Sequence, residues 1–137
     1  MSLIIYSDGA SRGNPGISAI AFMILDEDGN VLKRHARYLG IRTNNQAEYE
    51  ALISALNAAA QITNQAVTCK LDSEVVVKHL TGEYRVKDPE LKVLWLKVQR
   101  LKPKFSKVIF TQVARTNRVI QEVDLACNRI LNRVSKE

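Results

Sequence analysis

Four acidic residues stand where acids are uncommon. Asp8 closes the apolar run Leu3-Ile4-Ile5-Tyr6, and Asp72 closes a second apolar run from Val67 to Leu71. Aspartate is depleted in strands because its short charged side chain suits neither a pleated surface nor a core. Each could open a turn or cap the element that follows. If the two strands are neighbours in one sheet, however, the carboxylates converge at one edge and repel unless a cation lies between them. Glu48 precedes an apolar stripe at Ala51, Leu52, Ala55, Leu56, Ala59 and Ile62. At about 100° per residue it falls within about 40° of Leu52 and about 20° of Ala55 and Ala59, so it points with the core. A capping box with Asn45 as N-cap is the structural alternative. Glu50 falls off the stripe and reads as a solvated charge. Asp124 lies at the edge of a stripe made by Val123, Cys127, Leu131 and Val134. Alone it would be an ordinary acid near a helix start.

The elements that must carry these acids can be read from periodicity. Residues 3–8 form a short apolar run that suggests a central strand. Gly9 to Gly16, with Gly13-Asn14-Pro15-Gly16, is turn chemistry. Strands at 17–25 and 31–39 flank Asp28-Gly29-Asn30, a hairpin signal. A helix from about Asn45 to Ile62 and a strand from Val67 to Leu71 follow. Helices are predicted at about 74–81 and 89–102, the second opened by Asp88 as N-cap and Pro89 at the first helical position. Leu91, Leu94, Trp95, Val98 and Leu101 form its core face. A strand at 107–113 and a helix ending near Val134 complete the order βββαβααβα, which implies a mixed sheet covered by helices.

The 137 residues suit one compact domain, and no linker, repeat or low-complexity stretch divides them. No run is long and apolar enough to cross a bilayer, and Leu3 to Tyr6 lacks the basic flank of a signal peptide. A cytoplasmic monomer without membrane association is therefore expected. Cys69 and Cys127 sit in apolar segments without metal-ligand spacing and read as reduced core thiols. The net charge of +6, from 20 Lys and Arg against 14 Asp and Glu, favours polyanionic partners.

Three segments carry a resemblance to a known family: Tyr6-Ser7-Asp8-Gly9-Ala10-Ser11-Arg12-Gly13-Asn14-Pro15-Gly16, Thr43-Asn44-Asn45-Gln46-Ala47-Glu48-Tyr49-Glu50-Ala51-Leu52, and Leu71-Asp72-Ser73-Glu74. In content, order and spacing they resemble the type 1 ribonuclease H family, and the match spans essentially the whole chain. The resemblance implies an α/β, ribonuclease H-like fold with a mixed five-stranded sheet and helices on both faces, forming one catalytic domain over residues 1–137. It implies an endonuclease that hydrolyses the RNA strand of RNA–DNA hybrids, leaving 5′-phosphate and 3′-hydroxyl ends. Asp8, Glu48, Asp72 and Asp124 would be its acidic tetrad, holding two divalent cations. An all-carboxylate donor set suits Mg²⁺ or Mn²⁺ rather than zinc. One ion would activate a water and the other would stabilise the leaving 3′ oxygen. The resemblance also places Ser11, Gly13, Asn14, Asn44 and Asn45 against the RNA minor groove, where amides can sense the 2′-hydroxyl. It places Thr43 at a DNA-strand phosphate.

The match thins toward the C-terminus. Val123-Asp124-Leu125-Ala126-Cys127-Asn128 aligns without a gap, but Ile120 stands where relatives of the shorter kind carry Asn, and Arg115 lies about two residues farther from Asp124. Glu122 is thus a rival fourth ligand, and Arg115 or Arg118 could bind phosphate. His35 and His79 fit no catalytic role and read as surface or boundary residues. No long basic insertion follows Gly82-Glu83-Tyr84-Arg85-Val86-Lys87, so the handle-like protrusion of some relatives is not expected. Lys97, Arg100, Lys102, Lys104 and Lys107 read as a partly solvated helix face. The alternative function is a catalytically silent hybrid-binding module on the same fold. A nuclease cutting DNA junctions is disfavoured by the Thr43 to Glu48 block.

Overall fold

In the computed structural model, which describes residues 1–136, a five-stranded sheet has the order β3-β2-β1-β4-β5. Its strands are β1 (Leu3–Gly13), β2 (Gly16–Leu25), β3 (Val31–Arg42), β4 (Ala66–Leu71) and β5 (Lys107–Gln112). The helices are α1 (Asn44–Ala60), α2 (Glu74–Thr81), α3 (Pro89–Leu101) and α4 (Arg118–Ser135), and a single 3-10 turn, Lys102–Lys104, follows α3. The first three strands are antiparallel neighbours, whereas β4 pairs parallel with both β1 and β5. The expected element order and mixed sheet are both found.

Side-chain alternation along β1 divides the core. Leu3 and Ile5 join Phe22, Ile24 and the apolar faces of α1, α2 and α3 on one side of the sheet. Tyr6 joins Ala19, Ala21, Met23 and the α4 residues Ile120, Val123, Cys127 and Leu131 on the other. A central strand covered on both faces reads as a continuous apolar run because neither face meets water. Cys69 and Cys127 are buried free thiols. His79 is half-buried, and its Nδ1 lies 2.9 Å from the hydroxyl of fully buried Tyr49.

Several boundaries differ from the sequence expectation. β1 runs on to Gly13, because Asp8 through Gly13 pair with Ala21 through Gly16 and confine the turn to Asn14 and Pro15. The polar Gly9–Gly13 stretch looked like loop, yet backbone pairing with the apolar β2 keeps it extended. Asp8 accordingly lies inside a strand rather than ending one. The α1 N-cap is Thr43, not Asn45: its hydroxyl accepts from the Gln46 amide, and the Gln46 side chain accepts from the Thr43 N–H. Ile62 lies beyond the end of α1 and is exposed. Glu50 is not a free solvated charge; it sits 3.6 Å from Arg42. α2 ends where expected because Gly82 takes the left-handed conformation, φ 84°, that closes the helix. No helix among the described residues is long and apolar enough to cross a membrane.

Candidate active site

The parallel pairing of β1 with β4 ends at Tyr6 and Lys70, while β1 continues against β2. Asp8 therefore emerges just past the point where β4 stops, and Asp72 follows the last β4 residue, Leu71. Two neighbouring strands thus deliver their acids to one edge, as the two runs ending in Asp had suggested. Glu48 arrives from α1. The helix can lie close because Gly9 has no side chain: a Cβ there would overlap the backbone carbonyl of Ala47. Thr43 and Gln46 fix where α1 begins, and so fix the face on which Glu48 projects.

One carboxylate oxygen from each of Asp8, Glu48 and Asp72 lies within 4.8 Å of the other two. Asp8 and Glu48 are only 4% and 3% exposed, and Asp72 is half-buried. Burial raises the pKa of Asp8 to about 7, and the charges of Asp72 and Asp124 add to the rise. Burial also holds Glu48 well above the usual carboxylate range, with further upward pressure from Asp8 and Asp72. The Asp72 carboxyl is raised by burial too, though Arg115 opposes the shift. Its Nε lies 3.9 Å from Asp72 while the side chain stays 91% exposed.

Glu48 Oε2 is buried and has no hydrogen-bond partner among the described residues. A buried carboxylate oxygen normally finds a donor, because losing water without replacement is costly. Three acids converging around such an orphaned oxygen form a donor set that fits a hard divalent cation. Burial first and mutual repulsion second raise these pKa values, and a cation there would offset both.

Asp124 is exposed and stands outside the cluster of three, but lines the same cavity of about 610 Å³ with Asp8, Glu48 and Asp72. Asn128, one turn along α4, donates from Nδ2 to the Asp124 carbonyl at 3.1 Å and to its Oδ2 at 3.2 Å. Glu122 lines a different cleft of about 430 Å³, between α4 and strands β2 and β3. Of the two candidates for a fourth acid, only Asp124 faces the other three.

Asn44, Asn45 and Arg115 border the acidic cavity. Asn14 and Gly13 are exposed at the tip of the β1–β2 hairpin, which is tied to α1 by the Asn44 N–H donating to Asn14 Oδ1 at 3.1 Å. The Ser11 hydroxyl donates to the Arg42 carbonyl at 2.9 Å, and it also contacts the Gly13 carbonyl. Thr43 uses its hydroxyl as the α1 cap. Gly9 and Asn128 had not been singled out from the sequence. The Asp124 to Asn128 spacing of one helical turn was the available signal for the second. Nothing short of the packing of α1 on β1 identifies the first.

The reverse transcriptase-like family model matches residues 6–129. The ribonuclease HI of Halobacterium salinarum is 37% identical over 127 residues, covering 93% of this chain and 63% of that protein. The chain belongs to the type 1 ribonuclease H family. The crystal structure of RNase H1 from the halophilic archaeon Halobacterium salinarum superposes with a TM-score of 0.92 at 35% identity, covering 97% of this chain and 99% of the other. LC11-RNase H1, an enzyme whose structure was solved in complex with RNA/DNA hybrid, gives a TM-score of 0.90 at 35% identity, covering 96% of this chain and 98% of the other. The family's fold therefore extends across nearly all of the chain. The chain nonetheless spans less than two thirds of the curated ribonuclease HI.

Proposed function

We propose that residues 1–137 are a catalytic domain that hydrolyses the RNA strand of RNA–DNA hybrids as an endonuclease, leaving 5′-phosphate and 3′-hydroxyl ends. The supporting observation is the convergence of Asp8, Glu48 and Asp72 around an unpartnered Glu48 oxygen, in a cavity that Asp124 completes. Asp8, Glu48, Asp72 and Asp124 are the residues that would hold two Mg²⁺ or Mn²⁺ ions. Such ions, when bound, polarise the scissile phosphate and activate water near neutral pH. The protein's own part is to fix the donors. β1 and β4 present two of them from a rigid sheet, and α1 delivers the third against Gly9.

Substrate choice falls to the polar groups around the cavity. Asn14, Asn44 and Asn45 offer amides that can donate to or accept from a 2′-hydroxyl, the group that separates RNA from DNA. Ser11 and Gly13 shape the hairpin that presents Asn14. By the resemblance Thr43 would contact a DNA-strand phosphate, and Arg115 offers an exposed cation on the lining of the cavity. The domain would act as a cytoplasmic monomer with hybrid as its partner and no membrane association. The RNase H1 relative solved with RNA/DNA hybrid supports this choice of substrate.

Strand-labelled cleavage of hybrid, double-stranded RNA and double-stranded DNA, with and without Mg²⁺, tests the proposal. The RNA of the hybrid should be cut only when the metal is present, with 3′-hydroxyl ends. Tight binding of hybrid without any cleavage would instead mark a silent binding module.

A further inference from the structure

We propose that Asn128 and Arg12 are positioning residues for Asp124, an assignment that rests on the hybrid-nuclease function above. Asp124 differs from the other three acids. It projects from α4 and is exposed, whereas Asp8 and Glu48 are buried and Asp72 is half-buried. An exposed aspartate on a helix surface samples several rotamers, and each must be given up when it joins a metal site. Asn128 limits that freedom, since its Nδ2 donates at once to the Asp124 carbonyl at 3.1 Å and to Oδ2 at 3.2 Å.

An asparagine amide can turn over and present oxygen instead, which would repel the carboxylate. Arg12 opposes that turn. Its Nη2 lies 3.4 Å from Asn128 Oδ1 and donates at 2.5 Å to the Oδ1 of Asn132, one turn further along α4. A cation on the oxygen side leaves the nitrogen facing Asp124. Arg12 itself sits in β1 between Ser11 and Gly13, four residues beyond Asp8. The hairpin that carries the proposed RNA-reading residues is therefore anchored to the helix that carries the fourth acid. Partners that orient a ligand in this way commonly govern metal affinity as much as the ligand does.

The test uses Asn128→Asp, which keeps the side-chain size but replaces the donor with a second carboxylate, together with Asn128→Ala, Arg12→Ala and Arg12→Lys. Single-turnover cleavage, KM for hybrid, Mg²⁺ dependence and thermal unfolding are measured for each, and Mg²⁺ binding to the protein alone is followed by calorimetry. Both Asn128 variants should lower kcat by about 10-fold or more and weaken Mg²⁺ binding, with KM within about 2-fold. Arg12→Ala should show the same pattern to a smaller degree, and Arg12→Lys should recover part of it. An Asn128→Asp protein with wild-type kcat and Mg²⁺ affinity would overturn the assignment. So would an activity loss that follows only the unfolded fraction while the folded protein binds Mg²⁺ as before. Wild type and Asp124→Asn separate the two levels of inference. If wild type cuts hybrid and Asp124→Asn does not, the nuclease function stands whatever the Asn128 variants do. If wild type fails to cut, the function falls and the positioning role falls with it.

Discussion

Asp8 and Glu48 are costly to ionise where they sit. Each carboxyl is deprived of water and faces other acids, and both pKa values are raised. The sign of the linkage follows directly. A carboxyl with a raised folded-state pKa binds its proton more tightly when folded, so its contribution to stability is complete below about pH 4 and is lost as pH climbs through the folded value. For Asp8 that value is about 7. Asp8→Asn removes the penalty, so in metal-free buffer its melting temperature should exceed wild type by a margin that grows from pH 4 to above pH 7. Saturating Mg²⁺ should narrow the margin by stabilising wild type. A constant difference across that range would contradict the electrostatic origin. The fourth acid is also decided at this scale. Asp124→Asn should cost orders of magnitude in cleavage rate, at about 1.4 kcal/mol per tenfold, whereas Glu122→Gln should remain near wild type in the same kinetic assay. Residue types made Asp8, Asp72 and Glu48 legible before any coordinates. Asp124 was favoured over its rival Glu122 by the resemblance and by its place at the stripe edge; the two lie about 200° apart around α4, and the packing of that helix sets only Asp124 on the acidic cavity.

Elements were read well wherever an apolar stripe met a clear boundary. α2 and α3 were bounded by Ser73, Gly82 and Asp88, whose capping and turn chemistry is local and visible in sequence. β1 was cut short because its second half is polar and glycine-containing. Its pairing with Ile17 through Ala21 is a non-local fact that composition does not carry. The α1 cap was misplaced by two residues for a related reason: Thr43, Asn44 and Asn45 are all adequate caps, and the reciprocal Thr43–Gln46 bonds decide among them. The contact between α1 and β1 is the element-scale feature on which the site depends. Gly9→Ala should push the helix away from the strand, because the added methyl group meets the Ala47 backbone rather than a movable side chain. Chemical denaturation should show a loss of about 1–3 kcal/mol, as for overpacked cores. Cleavage should fall further than that loss explains, since Glu48 moves with the helix. Unchanged stability and activity would mean that the close approach is not needed.

At the scale of the molecule, one sheet delivers two acids to an edge, one layer of helices supplies the third, and the opposite layer supplies the fourth. The chain carries a net charge of +6 together with this acidic cavity, so attraction to phosphates and repulsion among carboxylates coexist in one small protein. Binding and catalysis should therefore separate. On the proposed function, phosphate contacts would hold the hybrid through released counterions, whereas bond cleavage would require the four carboxylates proposed to hold metal. The most direct test measures binding and cleavage of one labelled hybrid by wild type and Asp8→Asn in Mg²⁺. The convergent-carboxylate mechanism predicts that the variant binds hybrid with salt-sensitive affinity near that of wild type, yet loses RNA cleavage by orders of magnitude. Cleavage by Asp8→Asn at the wild-type rate would contradict it.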